Sequence, residues 1–302
     1  MEKNKQSVVY AGVAVLSWST VATAFKIALK HLTHFEMILI ASCTALLIFT
    51  CLLTCQRKWH LVRELSPKLW LYFAVIGLIN PVSYYLVLFK AYNLLPAQVA
   101  QPISYAWPIV LLVLLAIFGH QPIPPKKYFG MFLSLVGVAF ISMGGSFNGK
   151  VIGVEGLLLA GLSAFLWASY WLISNRNESI DSSVSLFMSF LFGASYLLIG
   201  ALFVGVHIGS STALVSGIYI GCFEIGIPFI FFGLAMRTTT NPALINQMCY
   251  FAPFLSLFFI SIVLGEEIVF TTYIGLGLIV FGIIYNQYFV KTPLHRKKLK
   301  LR

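Results

Sequence analysis

Long apolar stretches separated by short polar segments dominate the chain. Ten stretches of roughly 20 residues carry almost no charge, at about 8–29, 34–55, 69–90, 95–118, 128–146, 152–174, 184–206, 212–236, 242–264 and 270–290. About 20 apolar residues suffice for one helix to cross the hydrocarbon core of a bilayer. The strict two-residue alternation of a membrane β-barrel is absent. The pattern predicts an all-α membrane protein with ten transmembrane helices.

Composition and charge agree with a membrane protein. Of 302 residues, 59% are hydrophobic and 10% are charged, whereas soluble proteins carry about a quarter charged residues. The net charge of +11 would suit nucleic acid, but its distribution follows the helices. With the N-terminus inside, sixteen lysines and arginines fall on the cytoplasmic side, and Lys30, Lys90 and Lys150 fall outside. This bias predicts a bacterial inner-membrane protein with both termini cytoplasmic, a lipid bilayer around it and no nucleic-acid partner.

The chain also carries two weakly similar halves. Matching residues recur at offsets between 144 and 149: Trp18 with Trp167, Asn80 with Glu224, Gln101 with Asn246, Tyr105 with Tyr250, Gly77 with Gly221, and Gly137 with Gly282. Because each half holds five predicted spans, the second half must start from the opposite side of the membrane. We predict two inverted five-helix repeats, 1–147 and 148–290, around a central cavity, followed by a basic cytoplasmic tail, 291–302.

Polar and aromatic side chains inside the spans mark a candidate cavity. Gln98, Gln101 and Tyr105 share one face of the fourth predicted helix, and Asn246 and Tyr250 share one face of the ninth. Interhelical hydrogen bonding is the alternative role for such amides. Aromatic rings could hold a cationic group or stack on a purine, although many rings in membrane bundles only pack. The predicted substrate cavity comprises Trp18, Asn80, Tyr84, Gln98, Gln101, Tyr105, Trp107, Trp167, Asn246 and Tyr250.

Two of the charged residues within predicted spans, Glu224 and Lys26, are candidates for a functional role. Glu224 falls in the middle of span 212–236, where an uncompensated charge is costly. It predicts a proton-coupling site or a partner for a substrate ammonium; the alternative is a neutral carboxylic acid that bonds to a neighbouring helix. Lys26 falls near the outer end of the first span, where snorkelling to the interface is expected and carboxylate binding is the alternative.

Several of these features resemble the EamA-type drug/metabolite transporter superfamily. They are the five-plus-five spans, Trp18, the proline-containing fourth and ninth helices, and the run Phe259–Glu267, which includes the short motif Leu264-Gly265-Glu266. The first half departs from this motif with Phe118-Gly119-His120-Gln121. The resemblance implies transport; similar proteins export amino acids, exchange nucleotide-sugars or carry metabolites such as S-adenosylmethionine.

Function is expected to be transport without enzymatic chemistry. The spans contain no metal-ligand cluster and no general-base constellation, so no catalytic residue, metal or cofactor is predicted. Few fixed charges disfavour a sugar nucleotide, whereas many aromatic rings favour a cargo with an ammonium and an aromatic part. We expect alternating-access transport of a small amino-acid-like metabolite, specifically S-adenosylmethionine. Exchange for S-adenosylhomocysteine is one way in which this transport could be coupled. A proton-coupled amino-acid exporter and a non-transport structural subunit are the alternatives, and monomer and homodimer both remain open.

Overall fold

A computed structural model of the protein describes residues 2–118, 124–143, 153–174, 180–239, 245, 248–249 and 251–286. Most of these residues are helical, and none of them forms a strand. In chain order the helices are α1 (Glu2–Ala28), α2 (His34–Cys55), α3 (Trp59–Arg63), α4 (Pro67–Gly77), α5 (Tyr84–Leu94), α6 (Ala97–Ser104), α7 (Trp107–Phe118), α8 (Lys127–Met143), α9 (Val154–Ser174), α10 (Ser182–Val204), α11 (Ser211–Ile220), α12 (Ile227–Thr238), α13 (Phe251–Leu264) and α14 (Phe270–Ile284).

Seven helical stretches of the described chain are long and apolar enough to cross a membrane. Three of the seven are composite: Pro67–Leu94, Ala97–Phe118 and Ser211–Thr238 each join two of the helices above. The shorter apolar helices are Lys127–Ile141, Phe251–Leu264 and Phe270–Ile284. The predicted tail 291–302 and the predicted junction between halves at 147–148 lie outside the described residues.

Proline interrupts helices that the hydropathy pattern predicts as continuous. The segments Leu78–Ser83 and Gly221–Gly226 join α4 to α5 and α11 to α12; the first is a kink in which Asn80 has an extended backbone (φ −140°, ψ 117°), and the second is π-helical. Pro81 lies within the first segment and Pro228 follows the second. Proline has no N–H to donate to the preceding turn, so the regular hydrogen-bond ladder is broken there. Pro108 acts similarly, because it cannot donate to Ser104, and α6 ends there before α7 begins.

Neighbouring helices come largely from different halves of the chain. α1 packs against α12 and α13, and α9 packs against α5 and α7. α2 contacts α11 and the segment Gly221–Gly226, whereas α10 contacts α4 and the segment Leu78–Ser83. The main core of buried apolar side chains therefore joins early and late helices, from Val21 to Ile283. This arrangement positions the site between them.

α8 and α14 form the closest helix pair. A Cβ added to Gly137 would lie 2.5 Å from the carbonyl oxygen of Gly275, and a Cβ on Gly275 would lie 2.5 Å from that of Gly137. Nearer the start of α8 and the end of α14, Gly130 faces Gly282. Small residues allow membrane helices to approach backbone to backbone. Since 130 pairs with 282 and 137 with 275, the two helices run antiparallel.

Candidate functional site

A cavity of about 560 Å³ lies between helices from both parts of the chain. Its walls come from α1, α5, α6, α7, α9 and the start of α8, together with the segment Gly221–Gly226, α12 and residues near the end of α14. Six of the predicted cavity residues are brought together in its lining, together with Glu224, the predicted proton-coupling residue: Trp18, Tyr84, Gln101, Tyr105, Trp107 and Trp167. The volume falls in the range typical of small-molecule sites.

One wall of the cavity is aromatic. The rings of Tyr84 and Trp167 lie 4.7 Å apart, and Trp167 meets Trp171 edge-on at 6.2 Å. Trp171 is nearly parallel to Trp107, with ring centroids 6.3 Å apart and an interplanar angle of 13°. Such faces attract cations and stack on flat rings.

Glu224 is held by residues from the first part of the chain. The Tyr85 hydroxyl donates a hydrogen bond of 3.2 Å to Glu224 Oε1, and Trp18 Nε1 donates to the Glu224 backbone carbonyl at 3.1 Å. The residue is only 8% exposed, and it lines the cavity. The carboxyl group therefore has one fixed donor and one side directed toward the cavity.

Three lining residues carry polar atoms that have no hydrogen-bond partner among the described residues. Gln101 Oε1, Trp171 Nε1 and both polar atoms of the Asn286 amide are buried without a hydrogen bond among the described residues. A buried polar group without a partner costs about 1–3 kcal/mol, so groups of this kind at a cavity are suited to bind a ligand. They supply both donors and acceptors.

Two predicted cavity residues lie elsewhere. Gln98 is 1% exposed and outside the lining; its Nε2 donates to the Glu267 carbonyl at 2.9 Å, and its Oε1 accepts from Val269 N and Thr272 Oγ1. Asn80 is fully buried at the kink in Leu78–Ser83 and also outside the lining. Its extended backbone breaks the helix there, so a regular helical period does not anticipate which way the residue faces. Asn246 and Tyr250 lie outside the described residues.

Lys26 neither snorkels nor faces the cavity. Its ammonium donates to the carbonyl oxygens of Tyr92 and Leu95, each at 2.7 Å. These carbonyls end α5, where the negative end of the helix dipole favours a cation. Nearby, Glu266 Oε1 accepts from the Ala97 backbone N–H at 3.3 Å. Burial raises the pKa of Glu266 despite this bond and the positive charge of Lys26.

Lys26, Gln98 and Glu266 thus connect α1, the start of α6 and the loop before α14. No residue of that loop, 265–269, is in the cavity lining, whereas Lys127 and Asn286 at the far ends of α8 and α14 are. Polar contacts therefore connect the helices at one end of the bundle, whereas a lysine and an amide line the cavity toward the other.

The sequence prediction missed Lys127 and Asn286. The charge of Lys127 was assigned to topology alone, because it adjoins Lys126 at the edge of a span. Asn286 had a usable signal: it extends the α14 face marked by Gly275 and Gly282 at helical spacing. Within the described residues, no three His, Cys, Asp or Glu side chains are grouped to hold a metal ion.

Membrane-length helices around an enclosed polar and aromatic cavity define a polytopic helical membrane protein. The model of the EamA-like transporter family matches residues 5–143 and 154–287, and the chain belongs to this family. It is therefore an integral membrane protein with a general role in transport, and the family's members are transporters and not enzymes.

Individual relatives are more distant. The chain is 26% identical over 218 residues to an uncharacterized transporter of Bacillus subtilis (strain 168), YvbV, covering 71% of this chain and 70% of the relative. A crystal structure described only as that of a protein aligns with a TM-score of 0.67 over 93% of this chain and 96% of the other, at 20% identity. This likeness concerns the fold alone.

Proposed function

We propose that the protein is a secondary transporter that moves a small amino-acid-like metabolite by alternating access. Its ten spans form two inverted five-helix repeats, and both termini lie in the cytoplasm of a bacterial inner membrane. S-Adenosylmethionine is the specific candidate cargo, and exchange for S-adenosylhomocysteine is one coupling scheme. The cavity between the halves, where Tyr84, Trp167 and Glu224 meet, is the observation that carries the proposal.

Paired structural details support the inverted repeat. The segments Leu78–Ser83 and Gly221–Gly226 both interrupt a long helix, and they are separated by about the offset that relates the two halves. Where they begin, a Cβ on Gly77 would lie 2.7 Å from the Ser189 carbonyl, and one on Gly221 would lie 2.7 Å from the Ala41 carbonyl. Adding the three shorter apolar helices to the seven longer spans gives ten.

Contacts at helix ends support the proposed topology. Lys58 and Arg237 lie 2.9 and 3.9 Å from Asp181, and all three are assigned to the cytoplasmic side. Lys90 pairs with Glu155 at 2.9 Å, and both are assigned to the outer side. Such contacts require their partners to lie on one side of a bilayer.

The chemistry of the lining supports an amino-acid-like cargo. Glu224 offers a carboxylate for an ammonium or sulfonium, and the rings around Trp167 and Trp171 offer faces for a purine or another apolar part. The unpartnered amide oxygen of Gln101 adds a hydrogen-bond acceptor. A polyanionic sugar nucleotide would need several cations, yet in the described lining Lys127 is the single lysine or arginine.

A binding screen followed by flux measurement tests the proposal. Amino acids, S-adenosylmethionine and S-adenosylhomocysteine are screened by thermal shift on the purified protein, and ligands that stabilise it are tested by counterflow in proteoliposomes. A stabilising ligand should also exchange across the membrane. Stabilisation with no flux, or no ligand at all, would favour a structural subunit. Labelling of a cysteine at Glu267 from the cytoplasmic side would overturn the proposed topology.

A proton-coupled amino-acid exporter is the second candidate. The hydrogen bond from Tyr85 to Glu224 favours it, because a cavity carboxyl group with a single fixed donor can bind either a proton or a cationic cargo. Competition between the two would couple their movements. An imposed pH gradient should then drive amino-acid accumulation, whereas pure exchange would need only cargo on the opposite side.

A further inference from the structure

We propose that the end of the cavity formed by Lys127 and Asn286 is an anion subsite that binds the carboxylate of the cargo. This inference deepens the proposed transport function and rests on it. Neither residue belongs to the predicted cavity set. The subsite gives the cavity a polar direction, with an acid at Glu224 and a base at Lys127.

The packing of α8 on α14 places Lys127 and Asn286 at the same end of the helix pair. Gly130 of α8 faces Gly282 and the Asn286 side chain, whose Oδ1 is the atom nearest to a Cβ built on Gly130. Lys127 precedes Gly130 by three residues and shares its face of the helix. Because the helices run antiparallel, the chain beyond Gly282 proceeds toward the Lys127 end of α8. The ammonium and the amide therefore line the same end of the cavity.

Burial indicates that this end was built for a polar ligand. Lys127 is 8% exposed and Asn286 is 7% exposed, and both line the cavity. Neither Asn286 Nδ2 nor Oδ1 has a hydrogen-bond partner among the described residues. In a buried primary amide both atoms normally make hydrogen bonds, and leaving these bonds unmade destabilises the protein. A ligand that accepts from Nδ2 removes part of this cost.

Three features of the subsite favour an anion. Lys127 carries a positive charge, and the Asn286 amide has donors to share. Lys127 is also the first residue of α8, where the positive end of the helix dipole favours negative charge. Among the described residues, the lining offers one lysine and no arginine, which suits a single carboxylate better than a polyphosphate.

The subsite belongs to the cavity and not to the lipid surface. Lys126, Tyr128 and Phe129 around it are exposed, whereas Lys127 is turned inward. An amino acid has one carboxylate and one ammonium, and the cavity presents the complementary charges on separate elements, α8 and the segment Gly221–Gly226. We infer that the carboxylate binds at Lys127 and that the cationic part points toward Glu224 and the aromatic wall.

Matched pairs of ligands test this inference on the full-length protein in phosphatidylcholine nanodiscs. The common amino acids are compared with their C-terminal amides, and S-adenosylmethionine with its carboxyl methyl ester, by thermal shift and titration. A ligand that binds should lose about tenfold or more in affinity when its carboxylate is neutralised, as expected for one charged hydrogen bond.

Variants identify the protein side of the contact. Lys127→Gln should lower the affinity for the acid to that for the amide and leave the amide's affinity unchanged. Lys127→Arg should retain most of the preference, and Asn286→Ala should reduce it. The adjacent, exposed Lys126→Gln is the matched control and should behave as wild type.

The outcomes separate this inference from the proposed function. Equal binding of acid and amide, or an unaltered acid preference in Lys127→Gln, would overturn the carboxylate subsite and leave transport standing. Failure of every ligand to bind the wild type would count against both. If Lys127→Gln alters ligand affinity only in nanodiscs that contain phosphatidylglycerol, then Lys127 binds a lipid headgroup. That result would also overturn the inference.

Discussion

The Tyr85 hydroxyl in α5 donates a hydrogen bond to Oε1 of Glu224, across 139 residues of sequence. The bond joins the second half of one interrupted helix to the π-helical segment of another. A carboxyl group at this position can exchange its proton, or its cationic partner, only with the cavity that it lines.

Glu224→Gln should abolish the pH dependence of transport. The amide keeps an acceptor for Tyr85 but cannot bind or release a proton. Uptake into proteoliposomes, measured at several pH values with and without a pH gradient, should become independent of pH. Tyr85→Phe serves as the control, since it removes the donor and retains the titratable group. A pH profile unchanged in Glu224→Gln would contradict a coupling role.

Trp107→Ala and Gln101→Ala should weaken ligand binding. The first removes one ring of the stacked pair with Trp171, and the second removes an unpartnered acceptor. Each loss is worth about 1 kcal/mol, or roughly fivefold in affinity. Titration of the purified variants measures it. Trp70→Ala, far from the lining, should bind normally; normal affinity in both cavity variants would remove this wall from the site.

Gln98→Leu should have the opposite profile from Gln101→Ala. The Gln98 amide makes three hydrogen bonds to the loop before α14 and to Thr272. Its loss should destabilise the protein by about 1–3 kcal/mol and alter ligand affinity less than Gln101→Ala does. Thermal unfolding and ligand titration, compared between the two variants, distinguish a connecting role from a binding role. Equal effects on affinity would contradict the assignment.

Asp181 should make the stability of the protein depend on pH. Burial alone would raise the pKa of this carboxyl, but the Lys58 ammonium and the Ser183 and Val184 backbone N–H groups lower it overall. A lowered folded-state pKa gives stability that is present above the unfolded pKa and lost as pH falls through the folded pKa.

Asp181→Asn should therefore be less stable than wild type at neutral pH, by about 1 kcal/mol or less, because asparagine can still accept from the Ser183 N–H but no longer carries the charge that pairs with Lys58. The difference should shrink as the medium is acidified below the usual range of aspartate. Thermal unfolding across pH measures both curves. Glu64→Gln, at an exposed residue, should follow the wild-type curve. A difference that persists at acidic pH would argue against titration of Asp181.

Gly137→Ala and Gly275→Ala should destabilise the protein by about 1–3 kcal/mol, because each added methyl group would overlap the opposing backbone. Gly277→Ala is the control: it lies on the same helix, and a Cβ there would meet nothing within 4 Å. Chemical unfolding in detergent should separate the first two variants from the third. Equal stability in all three would contradict the close approach of α8 and α14.

Apolar length was enough to predict most helices, since a bilayer imposes it. The span predicted at 34–55 coincides with α2, and that at 270–290 contains α14. Pro81, Pro108 and Pro228 indicated in the sequence that spans are interrupted. The backbone form of each interruption was not predicted, because it depends on how freed carbonyls are satisfied in three dimensions: a kink at Asn80 precedes Pro81, whereas a π-helical segment precedes Pro228.

The candidate site was predicted only in part, because some of its residues are positioned by tertiary contacts. Trp18, Tyr84 and Glu224 follow from polar or aromatic character inside a span, and all three line the cavity. Gln98 and Gln101 look equivalent in sequence, one turn apart on α6. They differ only because the loop 265–269 covers the first, and that loop is distant along the chain. Contacts of this kind are tertiary and leave no periodic signal.

The glycine contacts between α8 and α14 also limit how the sequence can change. A Cβ at Gly137 would meet the carbonyl oxygen of Gly275, which is main chain, and the reverse holds at Gly275. Trimming a neighbouring side chain cannot relieve such an overlap. A larger residue at either position therefore has no second-site suppressor in its partner glycine, and mutational repair must come from reversion or from stabilising another part of the bundle.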